Sequence, residues 1–150
     1  MVEPIRYSDL ERKLGTYLEC KDDLVVVKVP FPLRLSWEPT YISKVLVHPR
    51  IADGLVAALK NIMDYYGRTF IKKNNLDEFG GAYNPRKSRG SNRMSVHAWA
   101  MAVDYLPSMG GFHVPAITPE PVVRAFKAQG FLWGGDWGHP DGMHFTGVIE

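Results

Sequence analysis

Two segments far apart in the chain hold complementary halves of one chemical site, and a fold that uses them must bring them together. The first runs from Ser95 to Asp104 and supplies a histidine, His97, and a carboxylate. The second runs from Trp133 to Phe145 and packs His139, His144, Asp136, Asp141, Trp133 and Trp137 into a turn-rich stretch. Two imidazoles and one carboxylate are a common ligand set for a catalytic zinc that keeps one position open. A leftover carboxylate beside them is suited to act as general base.

Spacing alone leaves the local geometry open. On one helix His97 and Asp104 share a face; on one strand they lie on opposite faces. Met101 completes a helical stripe, whereas Ala98, Ala100 and Ala102 alternate with bulkier residues as in a strand. A turn at His97 leading into a strand through Asp104 also points both inward. The turn signal Pro140-Asp141-Gly142 puts Asp141 on a turn and lets His144 open a strand. Each residue also has a plainer reading. A buried histidine can be a hydrogen-bonded core residue, Asp104 and Asp141 can be turn residues, and the tryptophans can be core. His48, His113 and His139 are read as structural or exposed, with His139 close enough to compete with His144.

At 150 residues and 45% hydrophobic content, the chain is one globular domain with its own core. Its composition argues against disorder. The net charge of +2 implies no partner, but it is unevenly spread. Arg68 to Arg93 holds seven basic and two acidic residues, which leaves the remainder at −3. The basic run Arg86 to Arg93 suits an anionic polymer or, more plainly, a solvated loop; it has no interleaved aromatics to stack bases. The single cysteine, Cys20, excludes an intrachain disulfide, and it has no neighbouring histidine to activate it. The N-terminus lacks the apolar core of a signal peptide, and no segment has the roughly 20 apolar residues of a membrane span.

Ser8 and Glu11 have capping-box spacing, which predicts a short helix to about Glu19. Leu24 to Val29 reads as a strand closed by Pro30 and Pro32, and Val45 to His48 as a second. From Pro49, the residues Ile51, Leu55, Leu59, Ile62 and Tyr66 recur at helical spacing until Gly67. Thr118 as cap, Pro119 and Gly130 bracket another helix. Met143 to Ile149 reads as a closing strand. Helices and strands mix without regular alternation, so the expected class is α+β, a single compact domain over 1–150. A small, mainly antiparallel sheet flanked by helices is expected, with the site in a cleft on the sheet. Residues 1–29 are read as an N-terminal extension packed on a core of about 30–150.

The two segments together resemble the zinc peptidases that include D-alanyl-D-alanine carboxypeptidases and phage L-alanyl-D-glutamate endopeptidases. The family pattern is Ser-x-His-x-x-Gly-x-Ala-x-Asp, then an acidic residue, two residues and His. Ser95, His97, Ala102 and Asp104 match the first part; Asp141 and His144 match the second. Gly80 to Arg86 is similar to the family's Tyr-Asn-x-Arg element through Tyr83, Asn84 and Arg86, and Pro32 to Trp37 is similar to N-terminal sequence of the phage branch. The resemblance covers about residues 30 to 150. One departure stands out: Ala100 occupies the usual glycine position. If that position needs a positive φ, alanine costs about 1 kcal/mol, enough to perturb a site without abolishing it.

The resemblance implies that His97, Asp104 and His144 bind one zinc ion, that metal-bound water is the nucleophile and that Asp141 is the catalytic base and acid. It implies that Arg86 stabilises an oxyanion or a substrate carboxylate. Ser95, Tyr83, Asn84, Asp136, Trp133 and Trp137 are expected to support the ligands or wall the substrate cleft. The implied activity is an endolysin-like L-alanyl-D-glutamate endopeptidase acting on peptidoglycan stem peptides. A D-alanyl-D-alanine carboxypeptidase on the same scaffold is the alternative, and a noncatalytic, metal-stabilised wall-binding or virion module is a rival from another class. A monomer is expected, with no nucleic-acid partner and no membrane insertion. It would be made in the cytoplasm without a signal peptide and would reach the wall by holin-type release or another signal-less route.

Overall fold

The computed structural model describes residues 1–150 as an α+β domain. Eight strands form two sheets. The central sheet has six, β2 (Val25–Leu35), β3 (Tyr41–Val47), β4 (Glu78–Gly81), β5 (Ala102–Tyr105), β6 (Leu132–Trp133) and β7 (His144–Thr146), in the order β3-β2-β4-β5-β7-β6. Every neighbouring pair is antiparallel except β2–β4. The short strands β1 (Ile5–Arg6) and β8 (Val148–Ile149) pair in parallel as a second sheet. No helix is long and apolar enough to cross a membrane.

The longest helix, α3 (Pro49–Tyr66), has the expected bounds, with Gly67 at φ +80° ending it before the short α4 (Arg68–Lys73). Its buried stripe of Ile51, Leu55, Ala58, Leu59 and Ile62 packs against β2 and against α5 (Glu120–Ala128). His48 caps α3, its Nδ1 accepting the backbone N–H of Arg50 at 3.0 Å. It is therefore structural, as expected, and buried.

Strand alternation decides which face carries the chemistry. On β5 the Tyr105 ring meets Phe126 of α5, and on β7 Phe145 stacks on the same Phe126 at 4.1 Å. Tyr105 and Phe145 thus face the helices. Asp104 and His144, each one residue away, lie on the opposite face and are directly paired in the β5–β7 register.

Several local expectations are corrected. The Ser8 capping box does not form: α1 (Leu10–Leu14) stops at Gly15, whose φ is +84°. A separate short helix, α2 (Tyr17–Cys20), begins with the capping box Thr16–Glu19. Pro30 and Pro32 do not close β2. They sit where its register with β3 shifts between Lys28 and Leu33, a place where missing N–H donors leave no ladder bond broken. Strand β2 therefore runs unbroken from Val25 to Leu35. Helix α5 is capped by Pro119 rather than Thr118, whose hydroxyl donates to the Gly142 carbonyl instead. The closing strand is two strands: the chain switches sheets at Gly147, so β7 belongs to the central sheet and β8 to the small one.

Candidate metal centre

Of the three arrangements left open by spacing, the segment from Ser95 adopts the turn followed by a strand. A 3₁₀ turn covers Val96–Trp99, and the Ser95 hydroxyl caps it by accepting the His97 N–H at 3.2 Å. Ala100 then takes left-handed backbone angles, φ 52° and ψ 34°, and its carbonyl receives the His48 N–H at 3.0 Å. This corner turns the chain from the His97 loop into β5. The position usually held by glycine does require a positive φ, and alanine occupies it here.

The second segment reaches the same face. Asp141 pairs with Phe112 in an isolated bridge, and its carbonyl accepts the His144 N–H at 3.1 Å. A turn through Gly142 and Met143 then delivers His144 to the start of β7, the placement its turn signal suggests.

His97, Asp104 and His144 are all buried, and one ligand atom from each lies within 4.8 Å of the others. The His97 Nδ1 is bonded to the Ala82 carbonyl at 2.7 Å, which turns Nε2 toward the cleft. That Nε2 stands 3.3 Å from Asp104 Oδ1, yet it is buried with no hydrogen bond of acceptable geometry. The His144 Nδ1 approaches the same oxygen at 3.4 Å. Ligands around a tetrahedral zinc, with bonds of about 2.0–2.1 Å, are separated by about 3.3–3.4 Å. The two separations to Asp104 match that spacing, the three donors could hold a metal ion, and the orphaned His97 nitrogen is the group it would satisfy.

Electrostatics agree with the donor set. Burial alone would raise the Asp104 pKa, but the adjoining His97 and His144 hold its carboxyl well below the usual carboxylate range. Burial disfavours the charged His144 ring, yet hydrogen bonds to Asp104 and Glu150 outweigh it and push its pKa up to about 10. Binding of a divalent cation by this pair displaces a proton.

Asp141 lines the same cleft, and its Oδ1 is buried without a partner. Burial raises its pKa, partly offset by His144 and by Arg89. A carboxyl held above its ordinary value is suited to carrying a proton in both directions. Cys20, by contrast, is buried away from the cleft, and desolvation pushes its thiol up to about 11. It has no nucleophile's environment.

The other candidates divide. Arg86, Ser95 and Trp137 line the cleft, and Trp137 packs against His144 at 5.3 Å. Tyr83, Asn84 and Trp37 line a neighbouring depression that shares Arg86, His97 and Asp104 with the cleft. Trp133 lies outside the cleft: it stacks on Phe145 and donates its N–H to the Gly142 carbonyl at 2.8 Å, bracing the turn below Asp141. Asp136 is exposed and paired with Lys127 at 2.7 Å, so it does not reach the ligands. His139 stacks on His113 away from the three donors. The basic run is largely exposed, as a solvated loop would be, with Arg93 over the Tyr7 ring and Arg89 over Phe112. Sequence reasoning passed over Arg89, Phe112 and Glu150 as cleft residues. Arg89 was visible in the basic run, but nothing local marks Glu150.

A model of the D-alanyl-D-alanine carboxypeptidase family matches residues 89–147, a stretch that contains His97, Asp104, Asp141 and His144. No curated protein and no solved structure gives a significant match. The match and the donor set define the class of this chain, a metallopeptidase acting on peptidoglycan. Residues 89–147 are thus similar to the D-alanyl-D-alanine carboxypeptidase family, which agrees with the resemblance of the motifs.

Proposed function

We propose that the chain is a zinc-dependent endopeptidase that cleaves an internal amide bond of the peptidoglycan stem peptide, with the L-alanyl-D-glutamate bond as its target. The observation that carries the reading is the convergence of three buried ligand atoms with the unpaired Asp141 carboxylate in one cleft. His97, Asp104 and His144 would hold the ion; imidazole and carboxylate donors in a hydrolytic site favour zinc. When bound, the ion polarises the scissile carbonyl and lowers the pKa of a coordinated water from about 15.7 towards about 7.

The remaining steps belong to the chain's own residues. Asp141 accepts a proton from water in the cleft and returns it to the leaving amine nitrogen, a role its partial burial suits. Arg86 borders the cleft on both sides of His97 and Asp104, and its planar cation suits a developing oxyanion or a stem-peptide carboxylate. Ser95 holds the His97 loop, and Trp137 shields the ring of His144.

The preference for an internal bond rests on the cleft's extent. Two depressions share Arg86, His97 and Asp104, one reaching Arg89 and Phe112 and the other Trp37, Tyr83 and Asn84. Depressions on two sides of the candidate ligands suit contacts with peptide on either side of a scissile bond. The family description favours the second reading, a D-alanyl-D-alanine carboxypeptidase.

Digestion of purified cell wall with metal-loaded protein, followed by mass spectrometry of new termini, separates the two. New internal termini support the endopeptidase, whereas release of D-alanine alone overturns it. Asp141→Ala should lower turnover by at least about 10²-fold while sparing metal content. Unchanged wall lysis by that variant would refute the role of Asp141, and absence of lysis by the wild type would favour a noncatalytic module.

A further inference from the structure

Each imidazole of the site has two nitrogens, and the partner of the outer one decides what the inner one offers. For His97 that partner is the Ala82 carbonyl. For His144 it is a side chain outside the family-matched segment: Glu150 Oε2 lies 2.7 Å from His144 Nε2. The contact is sheltered, with the His144 side chain 6% and the Glu150 side chain 17% exposed, although the Glu150 backbone is open to solvent.

The path of the chain explains the approach. At Gly147 it leaves the central sheet, and β8 pairs with β1 through Val148 with Ile5 and Ile149 with Arg6. The Thr146 hydroxyl also accepts the Val148 N–H at 3.0 Å, tightening the bend. Six residues beyond His144, the chain has thus come back against the same ring.

A neutral imidazole has one donor and one acceptor nitrogen, and an ionised carboxylate can only accept. Once a metal ion displaces the second proton of the ring, Glu150 would keep the remaining one at Nε2 and leave the Nδ1 lone pair on the side of Asp104. The two nitrogens point apart, so a group in line with Nε2 lies across the ring from an ion held at Nδ1.

We infer that Glu150 is a positioning residue of the metal centre: by accepting the Nε2–H of His144, it fixes the tautomer and ring orientation that present Nδ1 to the ion. The inference rests on the proposed ligand role of His144. Carboxylate partners of this kind hold a ligand's tautomer and raise its basicity, and their loss costs about 10–100-fold in metal affinity.

The test is the zinc affinity of the full chain, measured by competition with a chromophoric chelator, together with the visible absorption of the cobalt(II)-loaded protein. Wild type, His144→Ala, Glu150→Ala and Glu150→Gln are compared, with the metal-free fold monitored by circular dichroism. Glu150→Ala should bind zinc about 10–100-fold more weakly and alter the cobalt spectrum. Glu150→Gln, whose amide oxygen still accepts the Nε2–H, should recover most of the affinity and the wild-type spectrum. If the alanine variant does not fold, Glu150→Leu keeps the apolar volume and takes its place.

Wild-type affinity in Glu150→Ala overturns the inference while leaving the ligand assignment intact. A glutamine variant as weak as the alanine one also overturns it, because a carboxylate bound directly to the metal is then the better account. A wild-type chain that takes up no metal, or a His144→Ala chain that binds it normally, overturns the ligand assignment and the inference together.

Discussion

Gly134 contacts no ligand through a side chain, yet substituting it should damage the site. A Cβ built on Gly134 would lie 2.4 Å from the Asp141 carbonyl oxygen, 3.1 Å from the His144 Cβ and 3.2 Å from the Asp141 Cβ. Contacts below 3.0 Å are essentially never made by real Cβ atoms, so Gly134→Ala forces a displacement of at least about 0.6 Å. The atom in the way is backbone, and that backbone is tied in place: the Asp141 N–H donates to the Gly134 carbonyl at 2.9 Å. Overpacking of this kind costs about 1–3 kcal/mol. At about 2–4 °C per kcal/mol for a chain of this size, the melting temperature should fall by about 2–12 °C. Catalysis should suffer more than stability, because a misplacement of about 1 Å can cost about 10²-fold in rate. Gly138 is the matched control: it lies in the same segment, and a Cβ there meets nothing within 4 Å. Gly138→Ala should stay within about 0.5 kcal/mol of wild type. Thermal melts followed by circular dichroism, paired with kcat/KM on cell-wall fragments, test the reasoning. A Gly134→Ala chain with the melting temperature and kcat/KM of Gly138→Ala would refute it.

His48 links stability to pH. Burial first, and Arg50 second, hold its pKa below the ordinary 6.5, so the folded chain keeps the ring neutral to cap α3. The unfolded chain binds the proton more readily; the contribution is therefore present above about pH 6.5 and is lost as pH falls through the lower folded value. His48→Asn keeps an acceptor without the titration, so its urea midpoint should decline less than the wild type's between pH 7.5 and 5, whereas His48→Ala should cost about 1 kcal/mol at neutral pH. Equal declines in wild type and the asparagine variant would contradict this account. At Ala100, Gly would relieve about 1–2 kcal/mol of left-handed strain but add about 0.4–1 kcal/mol of unfolded-state freedom and expose the loss of a fully buried methyl worth about 0.8 kcal/mol. These terms nearly cancel, so Ala100→Gly should melt within about 4 °C of wild type; a shift beyond about 8 °C in calorimetry would show that one term has been misjudged.

The α3 helix was legible in full because Pro49, a 3.6-residue apolar stripe and Gly67 all act locally. The candidate ligand residues were legible as residue types at family spacing, and the turn after Asp141 followed from Pro140 and Gly142. The capping box was misplaced because Ser8 and Thr16 offer similar hydroxyls, and the chain breaks at Gly15. Pro30 and Pro32 misled because a proline stops a strand only where its missing N–H is needed, and the register shift removes that need.

By itself the sequence determined the α+β class, the main helix and the donors available to a metal, since these follow from short-range periodicity, turn chemistry and residue identity. Tertiary structure decided which nitrogen of each histidine faces the cleft, because the Ala82 and Glu150 oxygens that settle this arrive from other parts of the fold. It also separated Asp136 and Trp133 from the cleft and brought Arg89 and Phe112 to it. Such roles depend on strand pairing and on the face a residue occupies, and both are set by contacts between segments that no local stretch of sequence contains.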